Sequence, residues 1–349
     1  MQKTIWTMLV IASLSLFTVG CDNELDVAAD WKEVAIVYGA LNPNQTKNYI
    51  RIQRAYLDEK QGAFSFVNNQ DSLYFDTLIV TITEQIKRSG DRDFSNTQSF
   101  NLVKVNGNDI GIPKDTGIFY SDENVLYELD AEIKPSMALT DYKYVLTVLN
   151  PRTGYVCIGE TVSVGQAEVY SPINETGGTI YITANSGHFL TVKFQEGKFA
   201  RAYRVDMDIR LEEFKLDNPS EVVNKTIKWP LVGLGKTRRL EGFESAEYQI
   251  SSLGFFSALS QNLEVDPTVG RRLVNFDFTF YGISDDFNTF LSVAEPSISI
   301  VQKKPEFTNI ENGLGIFASR NIQQYKDRNF NSVVVSALKQ SEMTKNLGF

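Results

Sequence analysis

A chain of 349 residues with 42% hydrophobic and 22% charged residues can bury a large core, and its length suits two domains better than one. Acidic residues outnumber basic ones 43 to 34, and the net charge of −9 excludes a general nucleic-acid function. With 2 Cys and 1 His the chain lacks the ligands of an ordinary zinc site, while 23 Phe and 15 Tyr favour strands.

Met1 to Cys21 reads MQKTIWTMLVIASLSLFTVGC. Lys3 gives a positive start, Ile5 to Val19 an apolar run, and Gly20-Cys21 a small-residue close, which is the layout of a secretory signal peptide. The run is shorter than the roughly 20 residues that span a bilayer. Its close is similar to a bacterial lipobox, with Thr18 where leucine is usual. Residues 1–21 are therefore expected to be a lipoprotein signal peptide, with Cys21 as the lipid anchor that attaches the chain to a membrane. The alternative is an ordinary signal peptide that leaves Cys21 a free thiol. Residues 22–31, with Asp22, Glu24, Asp26 and Asp30, read as an acidic tether. If Cys21 is acylated, Cys157 has no disulfide partner, and its alternating strand context makes it a small buried side chain.

Strand patterns begin at residue 32. Val34, Ile36 and Tyr38 alternate with their neighbours, Asn42-Pro43-Asn44-Gln45 marks a turn, and Ile50 and Ile52 return, giving a hairpin. Residues 57–71 read as a loop. Leu78, Val80 and Ile82 form a strand, Lys87 to Asp93 an exposed turn, and Gln98 to Val105 one further strand. Tyr127, Leu129, Ala131 and Ile133 alternate with charged neighbours, as in a sheet with one wet face. Tyr142, Tyr144, Leu146 and Val148 precede the turn Asn150 to Gly154, and Tyr155 to Val164 returns. This hairpin, approached by Leu139-Thr140-Asp141-Tyr142, resembles the end of an immunoglobulin-like sandwich with a tyrosine corner. Residues 32–170 are therefore expected to form an N-terminal immunoglobulin-like β-sandwich.

Pro172 to Gly178 reads as the boundary, and residues 171–349 as a second β-rich domain with one or two short helices. Strands are expected at Thr179–Thr183 and Leu190–Gln195. Tyr203, Val205, Met207, Ile209 and Leu211 alternate strictly with Arg204, Asp206, Asp208, Arg210 and Glu212, predicting a long strand with a salt-bridged wet face. Ser251 or Ser252 opens a helix through Phe255, Phe256, Leu259 and Leu263. Val274, Phe276, Phe278 and Phe280 alternate as a strand. Ser284-Asp285-Asp286 then caps a short helix through Phe287, Phe290, Leu291 and Val293. Residues 332–345 fit a terminal helix, although Val333–Val335 also reads as strand.

Catalytic motifs are sparse. A Ser–His–Asp or Cys–His arrangement would run through His188 or Cys157, which lie in different expected domains. Gly233-Leu234-Gly235-Lys236-Thr237 imitates a phosphate loop but lacks its spacing and reads as a turn. Ser121-Asp122-Glu123-Asn124 and Asp285-Asp286 are oxygen-rich without the spacing of a calcium loop. Trp229 reads as core packing rather than a sugar platform. No catalytic residue, metal or other cofactor is expected. Paired carboxylates need no local motif, so a surface hydrolase remains the least favoured alternative.

Asn309 to Phe317, NIENGLGIF, resembles a C-terminal motif of a Bacteroidota outer-membrane lipoprotein family labelled as a domain of unknown function. The lipoprotein start, the hairpin Glu33 to Leu57 and the hairpin Tyr142 to Val164 agree with it. The resemblance implies anchoring at the outer membrane, with the acidic residues after Cys21 directing display on the cell surface. Genes of that family often sit beside TonB-dependent receptors, which implies a non-enzymatic binding or accessory subunit of an outer-membrane TonB-dependent transporter. A structural or adhesive envelope protein is the alternative.

Overall fold

The computed structural model describes residues 33–55, 73–114, 123–172, 178–185, 187–237, 239–294 and 307–349. The signal segment, Cys21, the tether and the loop at 57–71 lie outside them, as does most of the stretch read as a domain boundary. The molecule is mostly β. Its N-terminal strands are β1 (Ala35–Leu41), β2 (Lys47–Arg54), β3 (Ile79–Arg88), β4 (Ser95–Asn101), β5 (Val103–Asn106), β6 (Val125–Asp130), β7 (Thr140–Leu149), β8 (Val156–Val162) and β9 (Glu168–Ser171). There follow β10 (Thr179–Ile180), β11 (Phe189–Gln195), β12 (Ala202–Lys215), β13 (Asn218–Lys236) and β14 (Ser245–Ser251). Helix α1 (Leu253–Asn262), β15 (Val269–Ile283), helix α2 (Asp285–Ala294), β16 (Ile310–Glu311), β17 (Leu314–Phe330) and helix α3 (Val333–Gln340) complete the chain.

A nine-stranded sheet runs β13-β12-β15-β17-β1-β2-β6-β5, with β10 also on β17. A five-stranded sheet runs β16-β8-β7-β3-β4 and a three-stranded sheet β14-β11-β9. One hydrophobic cluster joins β1, β2 and β6 of the large sheet to β3, β7 and β8, and its members run from Ala35 to Cys157 with Ile310 and Phe317 added. This half is sandwich-like. The second cluster, Val164 to Leu347, lies among β11, β12, β13, β15, α1 and α3. Both clusters rest on the large sheet, which takes strands from either side of residue 171. Val34–Phe349 form one compact unit.

β17 is the strand the two halves share. Leu314–Ser319 pair in parallel with Ile36–Leu41 of β1, while Arg320–Arg328 pair antiparallel with β15. Its inward side chains follow period 2. Phe317 enters the first core and Tyr325 the second. Between them Ser319, Asn321 and Gln323 are buried and polar. They hold the segment that crosses from one half to the other. Val164 N donates to Ser319 Oγ at 2.9 Å, Asn321 Nδ2 to Val164 O at 3.2 Å, and Gln323 receives Ala167 N at 3.1 Å and donates to Ala167 O at 2.8 Å. A side-chain hydroxyl and two side-chain amides thus satisfy a buried crossing backbone.

Several local expectations change. Gln98 to Val105 is two strands, because the chain switches sheets at Leu102: β4 pairs β3 and β5 pairs β6. In β1 it is Ala35, Val37 and Leu41 that are buried, while Tyr38 faces outward against Phe290 with centroids 6.3 Å apart. Among the described residues the second half carries α1, α2 and α3, the last within the expected terminal helix, so the run Val333–Val335 is helical and not strand. The salt-bridged face of β12 is present: Arg204 Nη2 meets Asp206 at 2.9 Å, Arg210 Nη2 meets Asp327 at 2.8 Å, and Arg272 pairs with Glu212.

Candidate functional site

The residues flagged for chemistry go mostly into structure. Cys157 is a free, buried thiol on β8, and burial pushes it up to about 11, far from a reactive thiolate. His188 Nδ1 is hydrogen-bonded to Ser252 Oγ, and the ring stands edge-on to Tyr181 with centroids 5.2 Å apart. Ser252 precedes α1, but its hydroxyl goes to His188 instead of capping the helix, and Ser252 is wholly buried. The pair docks the turn before β11 onto the start of α1. Ser252 N donates to His188 O at 3.0 Å, closing the same contact from the backbone.

Gly233 to Lys236 is strand, not a turn, and belongs to β13. A Cβ on Gly235 would lie 2.4 Å from the Tyr248 hydroxyl, so close packing of that ring accounts for the glycine. Trp229 is buried and stands edge-on to Phe255 at 5.8 Å, as a core residue. Asp285 pairs with Arg201 at 2.7 Å, and both Asp285 and Asp286 sit in the first turn of α2. Asn124 donates to Ile112 O at 2.7 Å and accepts from Arg51 at 3.0 Å; Ser121 and Asp122 lie outside the described residues. Among the described residues no three His, Cys, Asp or Glu side chains converge.

The NIENGLGIF stretch is a joint. Asn309 places its side-chain amide against the free edge of Phe317, accepting Phe317 N at 2.9 Å and donating to Phe317 O at 2.7 Å, as a neighbouring strand would. Asn312, at φ 54°, turns the chain and donates to Val156 O at 2.6 Å, while its carbonyl accepts from Tyr155 Oη. Tyr155 Oη in turn accepts Ala35 N at 2.9 Å. Gly315 sits at φ 96°, and a Cβ there would fall 2.0 Å from Val37 O. The motif therefore fastens β1, β8 and β17 to one another.

Two shallow grooves lie among the described residues. One, about 370 Å³, is lined by Asn44, Gln166, Gln323, Gln324, Tyr325 and Lys326 beside the polar seam of β17. The other, about 300 Å³, lies between Phe214, Arg271, Arg272, Val335, Lys339 and Phe349.

One polar pair is not absorbed by structure and was not anticipated. Leu190, Val192 and Phe194 point inward from β11, and the next inward position is Glu196, 8% exposed. Gln195 pairs with Ser245 of β14, and Glu196 N donates to Glu244 O at 2.8 Å, so two glutamates face each other at the end of the ladder. Glu244 has Arg239 at 3.6 Å, whereas Glu196 Oε2 has no hydrogen-bond partner. Burial, followed by the Glu244 charge, holds the Glu196 carboxyl above the usual carboxylate range. The signal in the sequence was the phase: a charge in the slot reserved for a core residue.

No protein-family model matches the chain, and no curated protein matches it.

Proposed function

We propose that the protein is a cell-envelope lipoprotein, held at the outer membrane by an acylated Cys21 and displayed on the cell surface. There it acts as a non-enzymatic binding or accessory subunit of an outer-membrane TonB-dependent transporter. The observation that carries this reading is Met1 to Cys21, a charged start, a short apolar run and a lipobox-like close ahead of an acidic tether. The resemblance of Asn309 to Phe317 supports the choice of partner. We read the half from β1 to β8 as immunoglobulin-like; its two sheets facing one another across a single core support that.

The test is co-purification. A C-terminal tag, gentle detergent extraction and mass spectrometry should recover a β-barrel transporter in stoichiometric amount. A protein that emerges alone, while other membrane complexes survive the same extraction, would end the accessory-subunit reading and favour the structural or adhesive one. Cys21→Ser should release a folded protein from the membrane. Continued partition with the membrane fraction would mean that the apolar segment is itself the anchor.

A further inference from the structure

β13 ends the nine-stranded sheet, and among the described residues no strand lies on its outer side. Its first half is exposed along its whole length up to Asn224, although Val222 and Val223 are apolar; Val223 is 61% exposed. Unpaired strand edges are templates for another strand, and proteins blunt them with proline, lysine and bulges. Here prolines and a register shift flank a window. Pro219 lies before it and Pro230 after it, neither able to donate an N–H, and the register with β12 shifts between Phe214 and Lys215 at the hairpin end. Ser220 to Thr226, SEVVNKT, is left open.

That window is complementary to itself. In an antiparallel pairing centred on Val223, Val223 faces its own copy, Glu221 faces Lys225, Val222 faces Asn224 and Ser220 faces Thr226. A centre on a residue, with the axis perpendicular to the sheet, keeps the inward face of one copy continuous with that of the other. Both charges are available. Glu221 has an in-chain contact with Asn218 at 3.3 Å, and Lys225, 40% exposed, one with Glu213 at 3.6 Å. Lys225 repels a basic neighbour in other registers and meets a carboxylate in this one, which fixes the alignment.

We propose that β13 is a self-association edge: two copies of this chain pair through Ser220–Thr226 about a two-fold axis at Val223, joining their large sheets into one. The contact is short, so the association is weak and concentration-dependent.

The experiment is multi-angle light scattering on the purified full chain in mild detergent over a dilution series. The wild type should pass from dimer to monomer on dilution. Glu221→Lys sets two lysine-to-lysine contacts across the axis and should weaken association at least about tenfold. Adding Lys225→Glu to it reverses both charges, restores complementarity and should restore the dimer. Val223→Lys, at an exposed position where folding tolerates it, should also give monomer. A wild type that stays monomeric at every concentration overturns the proposal. So does a Glu221→Lys protein that dimerises as well as the wild type, or a double variant that stays monomeric.

Discussion

Glu196 occupies an inward slot at the end of β11, opposite Glu244, with one oxygen unpartnered. Its folded carboxyl protonates at higher pH than an ordinary one. The protonated form therefore favours the fold. Stability contributed by this group rises as pH falls through the raised folded value towards 4.5, and the penalty stands in full above it. Glu196→Gln is thus expected to melt higher than the wild type near pH 7, with the gap closing as pH falls towards 4.5. Thermal melts across that range check it, and parallel curves for the two proteins would refute the assignment. The residue was legible in principle, because β11 was expected at Leu190–Gln195 and the charge falls on the next inward position. The other carboxylate was legible in the same way, since Ala246, Tyr248 and Ile250 of β14 alternate towards the core and Glu244 falls on the same phase.

Elements with an unbroken period were readable and the rest were not. β12 and β15 alternate over long stretches, and α1 and α2 present an apolar face behind a serine, so their places followed from the residues alone. β17 defeats that reading, since Ser319, Asn321 and Gln323 interrupt its inward face to hold a segment some 155 positions earlier in the chain. Partners that remote leave no local period. The NIENGLGIF stretch, by contrast, stood out as a motif, and the structure gives its two asparagines, Asn309 and Asn312, mechanical roles. Asn309→Ala should cost about 2 kcal/mol, for two hydrogen bonds to Phe317 at a partly buried edge. Gly315→Ala should cost more, since the added carbon would overlap Val37 O. Chemical denaturation of both variants decides whether the motif is a joint; unchanged midpoints would mean it is not.

At the scale of the whole molecule, two cores share one wall. Phe317 and Tyr325 stand on the same face of β17, one in each core, with the polar seam between them. Neither half can lose that strand without opening the other. Trp229 lies in the second core and β3 and β7 in the first, so fluorescence of Trp229 and hydrogen exchange of β3 and β7 should report one denaturation midpoint. Two separated midpoints would show that the halves unfold independently. The parallel pairing of β1 with β17 also sets an order of events during folding. β2 can close one side of Val37 and Tyr38 at once, whereas their other neighbours, Gly315 and Ile316, lie 278 residues further along the chain. β1 therefore waits, half-paired, for a remote strand, and contacts of such long sequence separation make that closure slow.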